Sequence, residues 1–281
     1  MAPQAVVGET WIRRFHPKPG AAVRLVCFPH AGGSAGYFHP LSALLGPEVE
    51  VLAVQYPGRQ DRRIEPAVAD IGELADEVAG ALRPWADQPL ALFGHSMGAL
   101  VAFETARRLE RRGGAALSAF FASGRRAPSR YREEHVHRLD DAGLVAAIRA
   151  LNGTDHRLLD DEEILRVILP AVRSDYRAAE TYRCPPDAVL ADLPITALLG
   201  DRDPRVTPEE AHAWREHTTG PFELRVFPGG GHFYLADARA ELALLLTERL
   251  TAAERGASRT TWAGGSRAAS RRSVGRGRPA R

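Results

Sequence analysis

The chain has 281 residues, of which 44% are hydrophobic and 26% are charged, and its formal net charge is +2. This length fits one large α/β domain with an insertion, and no apolar run reaches the roughly 18 residues that a membrane-spanning helix needs. The two cysteines, Cys27 and Cys184, provide neither a disulfide framework nor the spacing of a metal site.

The N-terminal segment is the first that could carry a targeting signal. It contains Arg13, Arg14 and Lys18, but no apolar stretch follows them. We therefore expect no secretory signal. Together with the low cysteine count, this composition predicts a cytoplasmic protein.

Short apolar runs then alternate along the chain with longer helical patterns. The runs predict strands over residues 23–28, 49–55, 90–93, 117–123, 195–199 and 222–227. Apolar residues at helical spacing predict helices over residues 71–85, 99–112, 208–216 and 238–251. Such alternation is typical of the α/β class, with a mostly parallel central sheet flanked by helices.

One long interval, residues 125–192, separates two strands that a single helix could connect. Leu144 and Ile148 recur there at helical spacing, and so do Ile164 and Ile168. We expect two or three helices in this insertion. Because insertions beside active sites often control access, we interpret it as a lid; an ordinary crossover with extra helices is the alternative.

The strongest chemical signal is the sequence GHSMG at residues 94–98. It follows a predicted strand and precedes a predicted helix, which is the context of the G-x-S-x-G nucleophile turn. Two glycines permit the tight turn that lifts Ser96 to the head of the helix, so Ser96 is the predicted nucleophile. The backbone N–H of Met97 and the helix dipole would stabilise an oxyanion there.

A nucleophilic serine needs a base, and in this fold the base follows in the chain. Among the histidines after Ser96, His232 alone directly follows a predicted strand, on a loop with three glycines. We therefore predict His232 as the base. Solvent-exposed positions are predicted for the others, which are His135, His137, His156, His212 and His217.

The acid that orients the base should follow the preceding strand, where the sequence is GDRDP at residues 200–204. We predict Asp203, three residues after the strand-ending glycine and braced by Pro204. This preference depends on the order of the catalytic groups in known triads. Asp201 is the alternative, and it could instead form a turn with its own backbone.

A second oxyanion donor should come from the loop after the first of these strands. Residues 30–33, HAGG, have the form of an HGGG-type oxyanion loop in which Ala31 replaces the first glycine. The Ala31 N–H is the predicted donor, and His30 is interpreted as a structural hydrogen-bonding residue. A phosphate-binding loop is excluded because no Gly-Lys-Ser/Thr follows.

With these residues assembled, the chain resembles the type II thioesterases that accompany polyketide synthases and nonribosomal peptide synthetases, within the α/β-hydrolase superfamily. The resemblance extends from about residue 11 to residue 250. The motifs that carry it are FPHAGG at 28–33, QYPGR at 55–59, GHSMGA at 94–99, GDRDP at 200–204 and GGHF at 230–233.

The resemblance implies a catalytic triad of Ser96, Asp203 and His232, with Ala31 and Met97 as oxyanion donors. It also implies the substrate, which is a stalled or aberrant acyl group on the phosphopantetheine arm of an acyl or peptidyl carrier protein. No metal or cofactor would be required, and we expect a monomer. A general carboxylesterase or lipase that acts on free esters is the alternative.

Four arginines near the start of the insertion could form a basic patch for an acidic carrier protein, although a solvated charged face is the alternative. They are Arg125, Arg126, Arg130 and Arg132.

Residues 255–281 differ in composition from the rest of the chain. They contain eight arginines and no acidic residue, so they contribute +8 to the total of +2 and leave −6 for residues 1–254. With few large apolar residues, they predict a disordered tail after a hydrolase domain at 1–254. A nucleic-acid or membrane-surface arm is the alternative, but aromatic residues do not interleave the arginines, and we expect neither partner.

Truncation tests this interpretation of the tail. A chain that ends at Glu254 should hydrolyse an acyl thioester at an unchanged rate, because the removed segment lies outside the predicted domain. The measurement is steady-state hydrolysis by the full and truncated chains side by side. A large loss of activity would show that the tail is part of the enzyme.

Overall fold

The computed structural model describes residues 10–153 and 159–251 of the chain, so the predicted tail and His156 lie outside the described residues. Seven strands of the described part form one sheet in the order β1-β3-β2-β4-β5-β6-β7. The strands are β1 (Ile12–Arg13), β2 (Val23–Phe28), β3 (Val49–Val54), β4 (Leu90–His95), β5 (Leu117–Ser123), β6 (Ile195–Gly200) and β7 (Phe222–Phe227). Every neighbouring pair is parallel except β1 and β3, so the predicted mostly parallel α/β sheet is confirmed.

Helices connect the strands. The α-helices are α1 (His39–Leu44), α2 (Ile71–Ala81), α3 (Met97–Arg112), α4 (Asp141–Arg149), α5 (Glu162–Thr181), α6 (Pro208–His212) and α7 (residues 239–251). Short 3-10 segments lie at Ala35–Phe38, Gln60–Arg62, Arg83–Trp85, Val136–Arg138 and Ala213–His217. No helix among the described residues is long and apolar enough to cross a bilayer.

The sheet is covered on both faces, which explains its continuous apolar strands. All six residues of β3 and of β4 are buried. On one face, α2 and α3 pack against the sheet through side chains such as Val78 and Phe103. On the other, Leu41 of α1 and Leu246 of α7 do so. Removal of this apolar surface from water stabilises the fold.

Several element boundaries differ from those that the sequence predicts. β4 continues through His95 and α3 begins at Met97, so Ser96 alone separates strand from helix. The helix predicted at 71–85 ends at Ala81 and a 3-10 turn containing Pro84 follows, since a proline interrupts the helical hydrogen bonds. β1 was not predicted, because two residues are too few to show a strand period.

The described part of the insertion contains two α-helices, α4 and α5, in agreement with the predicted two or three. Asp161 caps α5, and its Oδ1 accepts hydrogen bonds from the backbone N–H groups of Glu163 and Ile164. A small apolar cluster joins the two helices and includes Leu144 and Val172. Ala31 packs against this cluster, so the insertion lies directly over the loop at residues 30–33.

The four arginines at the start of the insertion do not form a basic patch. Arg126 is buried and paired with Glu134, while Arg125 is only part-exposed and its Nε is enclosed. The two exposed arginines each pair with a glutamate, Arg130 with Glu216 and Arg132 with Glu210. Ion pairs with glutamates therefore offset the charges of Arg126, Arg130 and Arg132, and burial removes Arg126 from the surface.

Candidate active site

The turn between β4 and α3 places Ser96 in a strained conformation. Its φ is 54° and its ψ is −120°, a region that residues with a side chain rarely adopt. The Ser96 N–H donates a hydrogen bond to the Ser123 carbonyl of β5 at 2.8 Å. Sheet and helix together hold the strain, and this is the type of backbone geometry that concentrates at functional sites.

Two glycines make this turn possible by close backbone approach. A Cβ on Gly94 would lie 2.3 Å from the Gly98 carbonyl oxygen, and a Cβ on Gly98 would lie 2.1 Å from the carbonyl oxygen of Phe28. No other residue type fits at either position without displacement of the backbone. The G-x-S-x-G pattern therefore reflects a steric limit that β2 and α3 impose together.

A continuous hydrogen-bonded chain joins Ser96 to His232 and Asp203. His232 Nε2 lies 3.1 Å from Ser96 Oγ, and His232 Nδ1 lies 2.9 Å from Asp203 Oδ2. The side chains of His232 and Asp203 are 3% and 0% exposed. Asp203 Oδ1 accepts a further hydrogen bond from the Arg205 N–H at 2.8 Å, whereas Asp201 is exposed. Of the two candidate acids, Asp203 is the one that contacts the histidine.

Glycines also bring the two loops that carry these residues together. A Cβ on Gly200, at the end of β6, would lie 2.3 Å from the carbonyl oxygen of Gly230. The Arg202 N–H donates to that same carbonyl at 2.8 Å. Gly200 is therefore required for this contact, and Gly230 is close-packed on the other side of it, with a Cβ position 3.2 Å from the Gly200 α-carbon.

The loop after β2 and the start of α3 present free backbone donors near Ser96. The N–H groups of Ala31 and Met97 make no hydrogen bond within the described part of the chain. Both residues line the same cavity as Ser96 and His232. The structure thus brings four of the five sequence-predicted site residues to one cavity, and the fifth, Asp203, is buried behind His232 and hydrogen-bonded to it.

The motif at residues 55–59 supports this loop, a role that the sequence alone did not indicate. Gln55 Oε1 accepts a hydrogen bond from the Ala35 N–H at 3.1 Å. Arg59 Nη1 donates to the Gly33 carbonyl at 3.1 Å. Arg59 also pairs with Asp175 of α5, a residue that sequence reasoning missed because a single acid in a helix is usually a solvated side chain.

His30 does not act as the structural hydrogen-bonding residue that was expected. Its Nδ1 is buried without a partner, and its ring packs edge-on against Tyr37 and Phe233 with centroids 4.6 and 4.7 Å away. Burial, together with the charges of His232 and Arg59, lowers the pKa of His30 to about 3. It is therefore a neutral packing residue at neutral pH.

His95 lies in a buried polar chain next to Ser96. Its Nδ1 is 3.0 Å from Ser123 Oγ, which is 2.7 Å from the Tyr234 hydroxyl. Its ring centroid is 5.2 Å from that of His232. Burial and then the charge of His232 lower the pKa of His95 well below its ordinary value. The position before Ser96 thus contributes a neutral ring that packs against His232.

Two of the histidines predicted to be exposed are not. His217 is 5% exposed, with Nδ1 2.9 Å from the Ala188 carbonyl and Nε2 3.0 Å from Ser129 Oγ. His137 has a largely buried side chain that hydrogen-bonds Glu180. Both errors arise because packing of distant segments, which a single sequence does not display, covers these polar positions.

Ser96 and His232 open onto a shared cavity. Its wall combines apolar residues such as Leu151, Val206 and Phe233 with five charged ones, which are Arg125, Arg126, Glu134, Glu180 and Arg205. Burial, with a contribution from Arg126, lowers the pKa of Arg125 to about 9. No group of three or more His, Cys, Asp or Glu residues in the described ranges could hold a metal ion.

Comparison with known proteins identifies similar chains. Residues 23–249 match the family model described as "Thioesterase domain". The chain is 59% identical over 225 residues to the "Probable cadicidin biosynthesis thioesterase" of Streptomyces griseus, covering 80% of this chain and 62% of that protein's length. It is 55% identical over 249 residues to "Thioesterase PikA5" of Streptomyces venezuelae, covering 88% of each.

A solved structure is similar as well. The type II thioesterase BorB from the borrelidin biosynthetic cluster superimposes with a TM-score of 0.77 at 50% sequence identity. The match covers 88% of this chain and 98% of that one. The fold is therefore shared over nearly the whole of that chain.

The buried histidines predict that stability falls in mild acid. His30 and His95 are held neutral in the folded chain but protonate near pH 6.5 when it unfolds, so their contribution is complete above about pH 6.5 and is lost below it. Each should remove about 1.4 kcal/mol of unfolding free energy by pH 5.5. Denaturant unfolding at pH 7.5 and 5.5 measures this loss.

A variant with a matched control assigns the loss to one residue. His30→Leu should unfold with a smaller pH dependence than the wild type, by about 1.4 kcal/mol over this range. His135→Leu, at an exposed position, should not alter the dependence. An unchanged pH dependence in His30→Leu would contradict the burial argument.

Proposed function

Because the chain belongs to the thioesterase family, we propose that it hydrolyses acyl thioesters on the phosphopantetheine arm of acyl or peptidyl carrier proteins. The reaction would remove stalled or aberrant acyl groups in polyketide or nonribosomal peptide biosynthesis. Relatives named for cadicidin and borrelidin biosynthesis support this setting. The observation that carries the chemistry is the hydrogen-bonded chain from Ser96 through His232 to Asp203.

The first half-reaction acylates the enzyme. Ser96 Oγ attacks the thioester carbonyl carbon while His232 Nε2 accepts the hydroxyl proton. This assignment requires the tautomer with a proton on Nδ1, which donates to Asp203 and so fixes the ring. The Asp203 carboxylate then stabilises the imidazolium.

The oxyanion of the tetrahedral intermediate would accept hydrogen bonds from the N–H groups of Ala31 and Met97. These two groups have no other partner among the described residues and line the cavity at Ser96. The Met97 N–H also lies at the first residue of α3, where the helix dipole favours negative charge. Preorganised donors of this type supply a large part of the rate enhancement of acyl transfer.

Collapse of the intermediate breaks the carbon–sulfur bond and releases the pantetheine thiol, which takes the proton from His232. A water molecule then attacks the acyl-Ser96 ester as His232 Nε2 removes its proton. The second tetrahedral intermediate expels Ser96, which regains that proton, and a free carboxylic acid leaves. All proton transfers balance on side chains of this chain, so the proposed reaction involves no metal or cofactor.

The insertion would form a lid that shapes the acyl chamber. α5 packs over the loop of Ala31 and supplies Tyr176 to the cavity wall. We further propose that the protein acts as a cytoplasmic monomer with carrier proteins as its partners. The two free cysteines, one of them buried, are suited to a reducing compartment.

Hydrolysis of an acyl-phosphopantetheinyl carrier protein tests the proposal. Ser96→Ala should lose about four to six orders of magnitude in kcat, because it removes the nucleophile. Asp203→Asn should lose about 10⁴-fold, because it favours the wrong histidine tautomer. Asp201→Asn is the matched control, since this exposed neighbour does not contact His232, and it should retain wild-type activity.

A nitrophenyl ester assayed in parallel separates the proposed substrate from the alternative. Release of the carrier-bound acyl group by the wild type supports the thioesterase proposal. Cleavage of the free ester alone, with intact acyl carrier proteins, would overturn it in favour of a general esterase. Equal loss in Asp203→Asn and Asp201→Asn would overturn the assignment of the acid.

A further inference from the structure

The carboxylate of Asp175 connects the insertion to the loop of residues 30–33, which we call the oxyanion loop. Its Oδ2 accepts a hydrogen bond from the Gly32 N–H at 2.7 Å. Its two oxygens also accept from Arg59, at 2.6 Å from Nη1 and 2.8 Å from Nη2. Asp175 is 0% exposed and Arg59 is 8% exposed. The contact is therefore a buried, bidentate ion pair with a third partner in the oxyanion loop.

Helix α5 also packs closely against Gly32 through the side chain of Val172. Gly32 has a φ of +76°, and a Cβ there would lie 2.9 Å from Cγ2 of Val172. Val172 and Asp175 lie three residues apart on α5, so they belong to one helix face. On this face, Asp175 binds the Gly32 N–H and Val172 lies beside the Gly32 α-carbon.

Arg59 completes the attachment from the opposite side of the loop. Its Nη1 donates to the Gly33 carbonyl at 3.1 Å, and its Nε donates to the Pro57 carbonyl at 3.2 Å. Gly33 in turn closes a turn on the His30 carbonyl at 2.9 Å. Every residue from 30 to 33 except Ala31 thus has a backbone group fixed by a hydrogen bond, and the Ala31 N–H is left without a partner among the described residues.

The ion pair of Arg59 and Asp175 also reduces the electrostatic cost of a carboxylate near the oxyanion site. An isolated carboxylate close to an oxyanion site would oppose the negative charge that develops in the transition state. Burial alone would lower the pKa of Arg59, but the Asp175 charge and hydrogen bonds outweigh burial and raise it. Asp175 can therefore accept from Gly32 while the guanidinium neutralises its charge.

We propose that Asp175 and Arg59 are positioning residues that hold the Ala31 N–H in place for the tetrahedral intermediate. Because Asp175 belongs to α5, the oxyanion loop is fully ordered only while this helix is docked on it. The inference rests on the proposed role of Ala31 in acyl transfer. It does not rest on the carrier-protein substrate, because any ester that Ser96 attacks would use the same donors.

Two double variants isolate the hydrogen bond to Gly32 without leaving a charge buried alone. Arg59→Gln/Asp175→Asn is neutral and retains an amide oxygen as acceptor for the Gly32 N–H. Arg59→Gln/Asp175→Ala is equally neutral and lacks the acceptor. Each is assayed for hydrolysis of a nitrophenyl ester and for inhibition by an alkyl trifluoromethyl ketone, which forms an oxyanion when Ser96 adds to it.

The variant without the acceptor should have a kcat/KM about 10- to 100-fold below that of its partner, as expected when a catalytic donor is displaced by a fraction of an ångström to an ångström. The change should lie in kcat, with KM within about threefold. Affinity for the trifluoromethyl ketone should fall by the same factor as kcat/KM, because both depend on the oxyanion donors.

Two further variants keep the result interpretable. Glu104→Gln weakens another largely buried ion pair, with Arg107 and Arg108 of α3, and should leave both readouts unchanged. Arg59→Lys retains the charge but cannot donate to both Asp175 oxygens and the Gly33 carbonyl. It should show a loss in the same direction, and it replaces the double variants if either of them does not fold.

Equal kcat/KM in the two double variants, or full activity in Arg59→Lys, would overturn the inference. So would a fall in kcat/KM without a parallel loss of ketone affinity, because that pattern indicates a general structural effect. Failure of the carrier-protein assay with normal cleavage of nitrophenyl esters would count against the proposed substrate and leave this inference standing.

Discussion

The architecture of the site depends on one steric constraint, the close passage of the Ser96 turn against the end of β2. Gly98 lies so near the Phe28 carbonyl that even a methyl group would overlap it, and Gly94 is equally close to Gly98. With this close packing, α3 begins directly after Ser96, at Met97. It also places the oxyanion loop, which continues directly from Phe28, beside the first turn of that helix.

The parallel sheet then supplies the remaining groups at the same edge. β2, β4, β6 and β7 all run in one direction, so the loops that follow them emerge together at their carboxyl ends. Ala31, Ser96, Asp203 and His232 lie on these four loops. Side chains that are far apart in sequence meet because each strand ends at nearly the same height in the sheet.

Much of this arrangement could be predicted from the sequence, because short-range patterns encode it. Apolar runs mark the buried strands, glycines mark the tight turns, and the order of Ser96, Asp203 and His232 follows the order of the strands. The fold class and the family resemblance are confirmed by the comparisons. Asp175, Arg59 and the buried His217 could not be assigned, because their roles depend on contacts across 143, 116 and 88 residues of chain.

The contact between Asp175 and Gly32 has a consequence for how this insertion can diverge. Segments that line a substrate chamber usually tolerate exchange, and a new chamber lining could change which acyl groups fit. Here the helix that lines the chamber also contributes to the backbone geometry of the reaction centre. If Asp175 has the proposed positioning role, a graft of α5 from another sequence would need an acid at the position of Asp175, opposite the Arg59 guanidinium, and a change of acyl selectivity through this helix would then also change turnover.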